Sequence, residues 1–438
     1  MSADQIKKPA LIRGIGAMGV ALLVLNSMIG AGIFALPAAV AAVAGDLSPW
    51  FFLAIGALFL TVVLSFAELA SFFKDSGGPV LYTGAAFGPL VGFSTGWIFY
   101  ISRMTAFSAN ATAMAVYLGA IWPWAATETG RLIFIATVCI GLSAANYVGV
   151  KDGIRTIALF TFFKLTPILL LVLLGLKDVT GDTFLPAHFP AIDDFGGLTL
   201  LVIYAFVGFE AATVVSGETK RPRRTLPRSL VTTVGVTAVL YFLIVLVYIS
   251  VLPAGQRVDT TLVDVGRNLA GEWGALIIGF AAVFSIGGNL AANMLSVPRL
   301  TFALGERGML PAWFAAVHPR FSTPANSVLL LGGLCLVFAL SGTFAFLAAA
   351  SSLTRLIAYG LCIAALPAIR RNASEKQIAA SYKLKGGYLI PAIAFGLCVW
   401  IGTHASLNAW LVTGALLILG LALYGFAQKQ ILARQTTT

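Results

Sequence analysis

The 438-residue sequence predicts an all-α polytopic membrane protein with twelve transmembrane helices. Three observations point that way. Hydrophobic residues make up 59% of the chain and charged residues 10%, with a mean hydropathy of +0.94. Apolar runs of roughly 18 or more residues recur along nearly the whole length, as membrane-spanning helices require, while the alternating short segments of a transmembrane barrel are absent. The 28 Lys and Arg are also unevenly spread. With the N-terminus placed inside, Arg131, Lys177, Arg257 and Arg267 fall in outer loops and Arg103, Lys164 and Arg355 within spans; the other 21 lie at or beyond the inner ends. That bias puts both termini in the cytoplasm of a plasma membrane, here read as the bacterial inner membrane. The net charge of +11 therefore belongs to membrane topology. The run "KRPRRTLPR" (220–228) reads as a solvated inner loop near anionic headgroups, and nucleic acid is not an expected partner.

The predicted spans are about 15–43, 50–73, 84–121, 131–148, 155–177, 195–217, 229–252, 271–304, 325–341, 343–366, 387–403 and 406–427. They group as a cytoplasmic tail (1–14), five spans (15–177), five more (195–366), a last pair (387–427) and a second cytoplasmic tail (428–438). The tail is polar and basic and leads directly into the first span, so no cleavable signal is expected. Cys139, Cys335, Cys362 and Cys398 all fall inside apolar spans, which argues against a disulfide framework.

Within the first span, "SMIGAGIFALP" (27–37) interrupts what ought to be continuous helix with Gly30, Gly32 and Pro37. A kink or close helix crossing would account for these residues alone. The sixth span carries a matching weak point, "YAFVGFEA" (204–211), with Gly208 at its centre and Glu210 just beyond. Spans one and six correspond if the chain holds two five-helix repeats of opposite orientation. A pair of glycine-interrupted helices so placed is a pointer to a transporter's substrate site. Unwinding at mid-membrane frees backbone groups that cost several kcal/mol each when left unpaired, and a substrate can satisfy them. The N-terminal end of the resumed half-helix suits a carboxylate.

The fifth span holds Lys164 with no acid within five residues. It lies nine residues above Arg155, roughly 13 Å at 1.5 Å per residue, near the midplane and too deep for easy snorkelling. Ionisable residues at such depth are functional candidates. Arg103 in "FYISRMTAF" and Arg355 in "SSLTRLIAYG" are two more, on spans three and ten. Asn289 and Asn293 share a face of span eight, one turn apart, with interhelical hydrogen bonding as the plain reading for both.

Four stretches taken in order resemble the amino acid–polyamine–organocation (APC) transporters, a family with the LeuT-type 5+5 inverted-repeat fold and discontinuous helices 1 and 6. They are "SMIGAGIFALP", residues 66–97 beginning "FAELASFF", residues 204–230 beginning "YAFVGFEA", and residues 298–324 beginning "PRLTFALGERG". The resemblance covers most of 15–370; the last two spans match only by position. It implies a substrate carboxylate on Ser27, Met28, Ile29, Gly30, Ala31 and Gly32. It further implies an amino group at carbonyls near Met28, Tyr204, Ala205 and Phe206, with Gly208 at the second break and Tyr204 as an aromatic closing over the ligand. Sodium-independent members carry a helix-five lysine in place of a sodium ion. Lys164 in "FFKL" is similar, and is expected to brace helix one against helix eight, with Asn289 as the nearest candidate partner. It then acts either as a fixed cation or, since burial disfavours the charged form, as a group that releases and takes up a proton.

Arg103 and Arg355 resemble arginines of the cystine/glutamate exchanger branch that meet an anionic side chain. Facing the cavity, they would favour acidic or neutral substrates; otherwise they pair with Glu210 or cap carbonyls. Glu210 matches the family's acidic position tied to coupling, and Glu68 is expected at an inner gate or loop contact.

No GxxxxGK[ST] loop is present, and His188, His318 and His404 are scattered, so neither ATP hydrolysis nor a metal site is supported, and no cofactor is expected. The resulting expectation is a sodium-independent transporter of L-α-amino acids working by proton symport or exchange. A cationic amino acid or polyamine antiporter of the same family is the alternative, and a non-transporting amino acid sensor a third reading. Oligomeric state is not legible.

Overall fold

The computed structural model describes residues 15–73, 77–149, 154–185, 195–214, 219–257, 260–384 and 386–436; the N-terminal tail (1–14) and His188 lie outside them. Among these residues the regular structure is all helical, joined by turns and loops, with one isolated bridge between Ile15 and Thr219.

The first span is two helices, α1 (Ala17–Met28) and α2 (Ala31–Ala44), separated at Ile29–Gly30. The chain reverses into α3 (Ser48–Phe72), which takes a proline in its first turn, where the missing N–H costs nothing. The predicted span 84–121 is instead two helices, α4 (Pro79–Phe87) and α5 (Pro89–Ile121). Gly88, at φ +93°, ends the first in a conformation open to glycine, and Pro89 cannot donate to continue it. A turn, α6 (Pro123–Ala126), leads to α7 (Glu128–Val148), whose N-terminus is capped by Thr127 accepting from the Gly130 N–H. Next come α8 (Ile154–Gly175), which carries Lys164, and the short α9 (Gly181–Phe184).

The sixth span repeats the pattern of the first: α10 (Phe195–Phe206) stops, and α11 (Ala211–Val214) resumes after four non-helical residues. Then follow α12 (Pro222–Val251) and α13 (Leu262–Glu306). The latter breaks at Ala270–Gly271, so its membrane-length part starts where the eighth span was expected. α14 (Ala325–Ser341), α15 (Phe344–Asn372), the short α16 (Glu375–Ala380), α17 (Leu389–Thr403) and α18 (Leu407–Thr436) complete the chain. α18 continues past 427, so the expected C-terminal tail is largely helical.

Among the described residues seven segments are long and apolar enough to cross a membrane: 31–72 through α2 and α3, then α5, α7, α12, α13, α15 and 407–432 of α18. The chain is therefore an integral membrane protein. α1, α10, α14 and α17 are apolar but shorter, the first two because the breaks divide their spans. Burial separates centre from rim: about 67–72% of the apolar windows of α5 and α15 is covered, against 17% for α7 and α18. α5 and α15 approach closely through small residues, with Ser102 Oγ donating to the Ser351 carbonyl and Ser351 Oγ to the Ser102 carbonyl, each at 3.0 Å.

Candidate functional site

The two helix breaks abut, and two glycines allow it. A Cβ on Gly208, which sits at φ +114°, would lie 2.6 Å from the Ser27 carbonyl oxygen; one on Gly32 would lie 2.7 Å from the Ala205 Cα. Both neighbours are backbone, so neither clash is relieved by a rotamer change. Gly208→Ala is expected to fail as a folded protein, adding a wrong-handed backbone conformation to that clash. Recovery of monodisperse Gly208→Ala at wild-type yield and thermal midpoint in detergent would contradict this account.

Freed carbonyls at the breaks are taken by side chains from three other helices. The Tyr241 hydroxyl of α12 is shared between Met28 O (3.3 Å) and Ala205 O (3.1 Å). Lys164, with no exposed surface, donates from Nζ to Asn26 O (3.1 Å) and Ile29 O (2.9 Å). Ile29 O also accepts from Ser285 Oγ of α13 at 3.3 Å, so lysine and serine meet on one carbonyl. Asn289, expected beside Lys164, instead donates to Ser27 O at 3.3 Å. A single turn of α13 separates the two positions, and the lysine's reach ends at the Ser285 level.

From Asn289 a polar chain crosses the bundle. Its Oδ1 accepts from Asn110 Nδ2 (2.8 Å) and Asn293 Nδ2 (3.2 Å), and Asn110 Oδ1 accepts from the Tyr204 hydroxyl (2.8 Å). Asn293 Oδ1 accepts from Arg103 Nη1 at 3.2 Å. Arg103 Nη2 is 3.3 Å from Glu210 Oε1, and Arg355 Nη1 is 3.7 Å from the same oxygen. Glu210 Oε2 accepts from the Tyr359 hydroxyl (2.8 Å) and the Gly208 N–H (3.0 Å), tying the charge cluster to the second break. Arg355 Nε donates to Ser102 Oγ at 2.8 Å. Both arginines thus pair with Glu210, the alternative to a free cationic pocket, and two guanidinium groups face one carboxylate. They are not equivalent: the Arg103 side chain is 18% exposed and that of Arg355 3%.

These groups surround a cavity lined by Ser27, Met28, Gly30–Gly32, Arg103, Ala106, Asn110, Tyr204, Val207, Asn289, Asn293 and Arg355. Its free space is about 20 Å³, room for a water but not an amino acid. The first turn of α2 borders it with no side-chain cap, so its leading N–H groups are available. Ile29, Ala205, Phe206 and Gly208 support the cavity from behind: the Phe206 ring, for example, packs on Phe59 and Tyr241. A second cavity of about 470 Å³, bordered by Phe34, Tyr117 and Phe344, lies along α2 away from the chain ends. Tyr204 meets Phe344 edge-on (5.7 Å, 87°), one ring on each cavity. Toward the chain ends, Arg370 grips Glu68 bidentately (2.8 and 2.7 Å), and the Lys220 N–H donates to Ile15 O. Glu68 therefore joins α3 to α15.

Asn110, Val207, Ser285 and Tyr359 were not singled out in the sequence. Two had a signal: Asn110 follows Arg103 by seven residues on α5, and Ser285, Asn289 and Asn293 form an i, i+4, i+8 polar stripe on an otherwise apolar helix.

Helices broken at two abutting points around a small polar cavity, in a bundle built to cross a membrane, are the hallmark of a membrane transporter. Residues 15–423 match the model of the amino acid permease family, and the chain belongs to that family. It is 28% identical to the methylthioribose transporter of Bacillus subtilis (94% of each chain) and 28% identical to that bacterium's serine/threonine exchanger SteT (94% of this chain, 95% of the other). It is 26% identical to the branched-chain amino acid permease BcaP of the same organism, over 92% of each chain. Among solved structures, MhsT in complex with L-phenylalanine superposes with a TM-score of 0.61 at 15% identity, covering 89% of this chain and 98% of that one. This likeness is one of fold, the LeuT type. The protein is thus a transporter of this family and not an enzyme.

Proposed function

We propose that the chain is a sodium-independent secondary transporter of L-α-amino acids, neutral or acidic, working by alternating access. In this reading it crosses a bacterial inner membrane twelve times with both termini cytoplasmic. Its two five-span repeats then place α1–α2 and α10–α11 in corresponding positions. The observation that carries the reading is Lys164. A fixed cation on the Asn26 and Ile29 carbonyls stands beside the break that a coupling ion would otherwise brace. The uncapped start of α2 at Ala31 and Gly32 receives the carboxylate. The amino group goes to carbonyls near Met28 and Tyr204, and Tyr204 with Phe344 closes above it.

The excess of guanidinium over carboxylate at Glu210 disfavours cationic substrates, against the polyamine and cationic amino acid alternative. The relatives named for serine/threonine and branched-chain amino acids are in keeping with a neutral range. With Arg103 the more exposed of the pair, it is the arginine placed to meet an acidic side chain. Arg103→Ala should then lower glutamate uptake by roughly tenfold or more relative to leucine, the equivalent of about 1.4 kcal/mol; equal loss for both substrates would make Arg103 structural.

The test is uptake of labelled glutamate, alanine, leucine and lysine into sodium-free proteoliposomes. Vesicles are empty or preloaded with the same amino acid, with and without an inward proton gradient. Gradient-driven uptake into empty vesicles establishes proton symport. Uptake confined to preloaded vesicles establishes exchange, with Lys164 as a fixed brace. Absence of flux for every amino acid, with binding retained, would turn the reading toward a sensor.

A further inference from the structure

A third cavity, about 360 Å³, lies on the rim of the bundle between α5, α14, α18 and the single turn Ala312–Ala315. Its walls are aromatic and aliphatic, including Trp97 and Met104 of α5, Phe314, Leu334 of α14 and Leu419 and Leu423 of α18. The volume is in the range that accepts a sizeable ligand. The cavity arises because α18 is pinned at two points. The Trp97 indole N–H donates to the Leu416 carbonyl at 2.8 Å, and Gln428 Nε2 donates to the Gly308 carbonyl at 2.9 Å. Between those pins the helix stays against α5, with Gly420 on the Trp97 indole and Tyr424 on Phe93 at 4.8 Å, and the space lies between it and Leu330 and Leu334 of α14. Tyr100, stacked on Trp97 at 5.1 Å, borders the same space, and its buried hydroxyl has no hydrogen-bond partner among the described residues.

Two facts say what fills the space. α18 is a rim helix, and Leu419 and Trp313 are each half exposed on the outside, so the medium at the opening is lipid hydrocarbon. The end of the cavity toward the chain termini is polar. One to two turns beyond Leu423 lies the Gln428–Gly308 contact, whose chain neighbours Lys429 and Arg307 are both exposed, with Glu306 as the acid beside Arg307. Trp313 stands there as an interfacial aromatic would.

We propose that this cavity is a lipid site, taking one acyl chain of an anionic glycerophospholipid from the leaflet on the terminal side, its phosphate held at Arg307 and Lys429. The apolar walls take the chain, and the basic pair selects the headgroup. The occupied site ties α18 to the bundle between its two pins.

The test uses the full-length protein in detergent, titrated with phosphatidylglycerol or phosphatidylcholine of identical chains and read by native mass spectrometry and thermal midpoint. Wild type should retain one phosphatidylglycerol, roughly tenfold more tightly than phosphatidylcholine. Leu334→Trp and Leu423→Trp, which fill the space, should each lose that retained lipid. Arg307→Gln combined with Lys429→Gln should bind both lipids equally. Fill variants that elute as wild type and still hold phosphatidylglycerol unchanged would reduce the lipid to an annular one and overturn the site. A dimer that shields Leu419 from lipid would make the cavity an interface between copies instead. If both fill variants misfold, phosphatidylglycerol with a diazirine in its acyl chain decides the matter on wild type: crosslinks at Leu334 or Leu419 support the site, and crosslinks only elsewhere overturn it.

Discussion

Lys164→Ala is expected to abolish amino acid uptake, with at least a hundredfold loss in sodium-free proteoliposomes. Lys164 Nζ holds two carbonyls, Asn26 O and Ile29 O, at the end of α1 where the helix ladder has no further donors. Each buried acceptor stripped of its partner costs about 1–3 kcal/mol, and about 1.4 kcal/mol is a tenfold change in an equilibrium. Losing both, together with the lysine's volume, is enough to shift the population of the braced break by two orders of magnitude. Ser285 still reaches Ile29 O, so the break does not unravel entirely; Asn26 O is left bare. Lys164→Met separates packing from charge: it fills the space and removes the donor, and it should fail like the alanine variant. Lys164→Arg should fail as well, since a fully buried site shaped for one ammonium has no room for a planar fork. Wild-type flux in Lys164→Met would remove the basis for a cation at this position.

The second large effect is on stability. Glu210→Ala is expected to lower the thermal midpoint in detergent by at least about 5 °C and to stop transport. It leaves the guanidinium groups of Arg103 and Arg355, now 3.3 and 3.7 Å from Glu210 Oε1, facing each other without a counter-charge. Removing one partner of a buried ion pair typically costs about 3–5 kcal/mol. The Tyr359 hydroxyl and the Gly208 N–H lose their acceptor too, and the second of these belongs to the helix break itself. Glu210→Gln keeps an acceptor for those two donors but not the charge, so it should fall between wild type and alanine in stability. The double variant Glu210→Ala with Arg103→Ala should recover part of the lost midpoint, because one unpaired cation leaves with its carboxylate. An unchanged midpoint in Glu210→Ala would mean that the arginines have other counter-charges.

The breaks at Gly30–Gly32 and around Gly208 were visible because glycine within a long apolar run is a local signal, and the backbone responds locally. The burial of Lys164 followed from its depth along one helix, a distance counted in residues. The divided third span was missed: the stretch is apolar on both sides of Gly88, and hydropathy does not see a left-handed residue followed by proline. Asn289 was placed one turn too close to Lys164, since the vertical offset between α8 and α13 depends on how the two pack. Tyr359 was invisible for a similar reason. It lies far along the chain from Glu210, and an aromatic among apolar residues carries no mark of its partner.

Composition and charge bias alone established that this chain lives in a membrane, and glycine spacing alone showed where its helices open, because both depend on the free energy of single segments in lipid and water. Which side chains answer the opened backbone depends on the rotation, tilt and depth of helices packed against one another. The shared grip of Lys164 and Ser285 on Ile29 O, and the arginine pair on Glu210, exist only once six separate spans are docked, and no spacing along the chain encodes that.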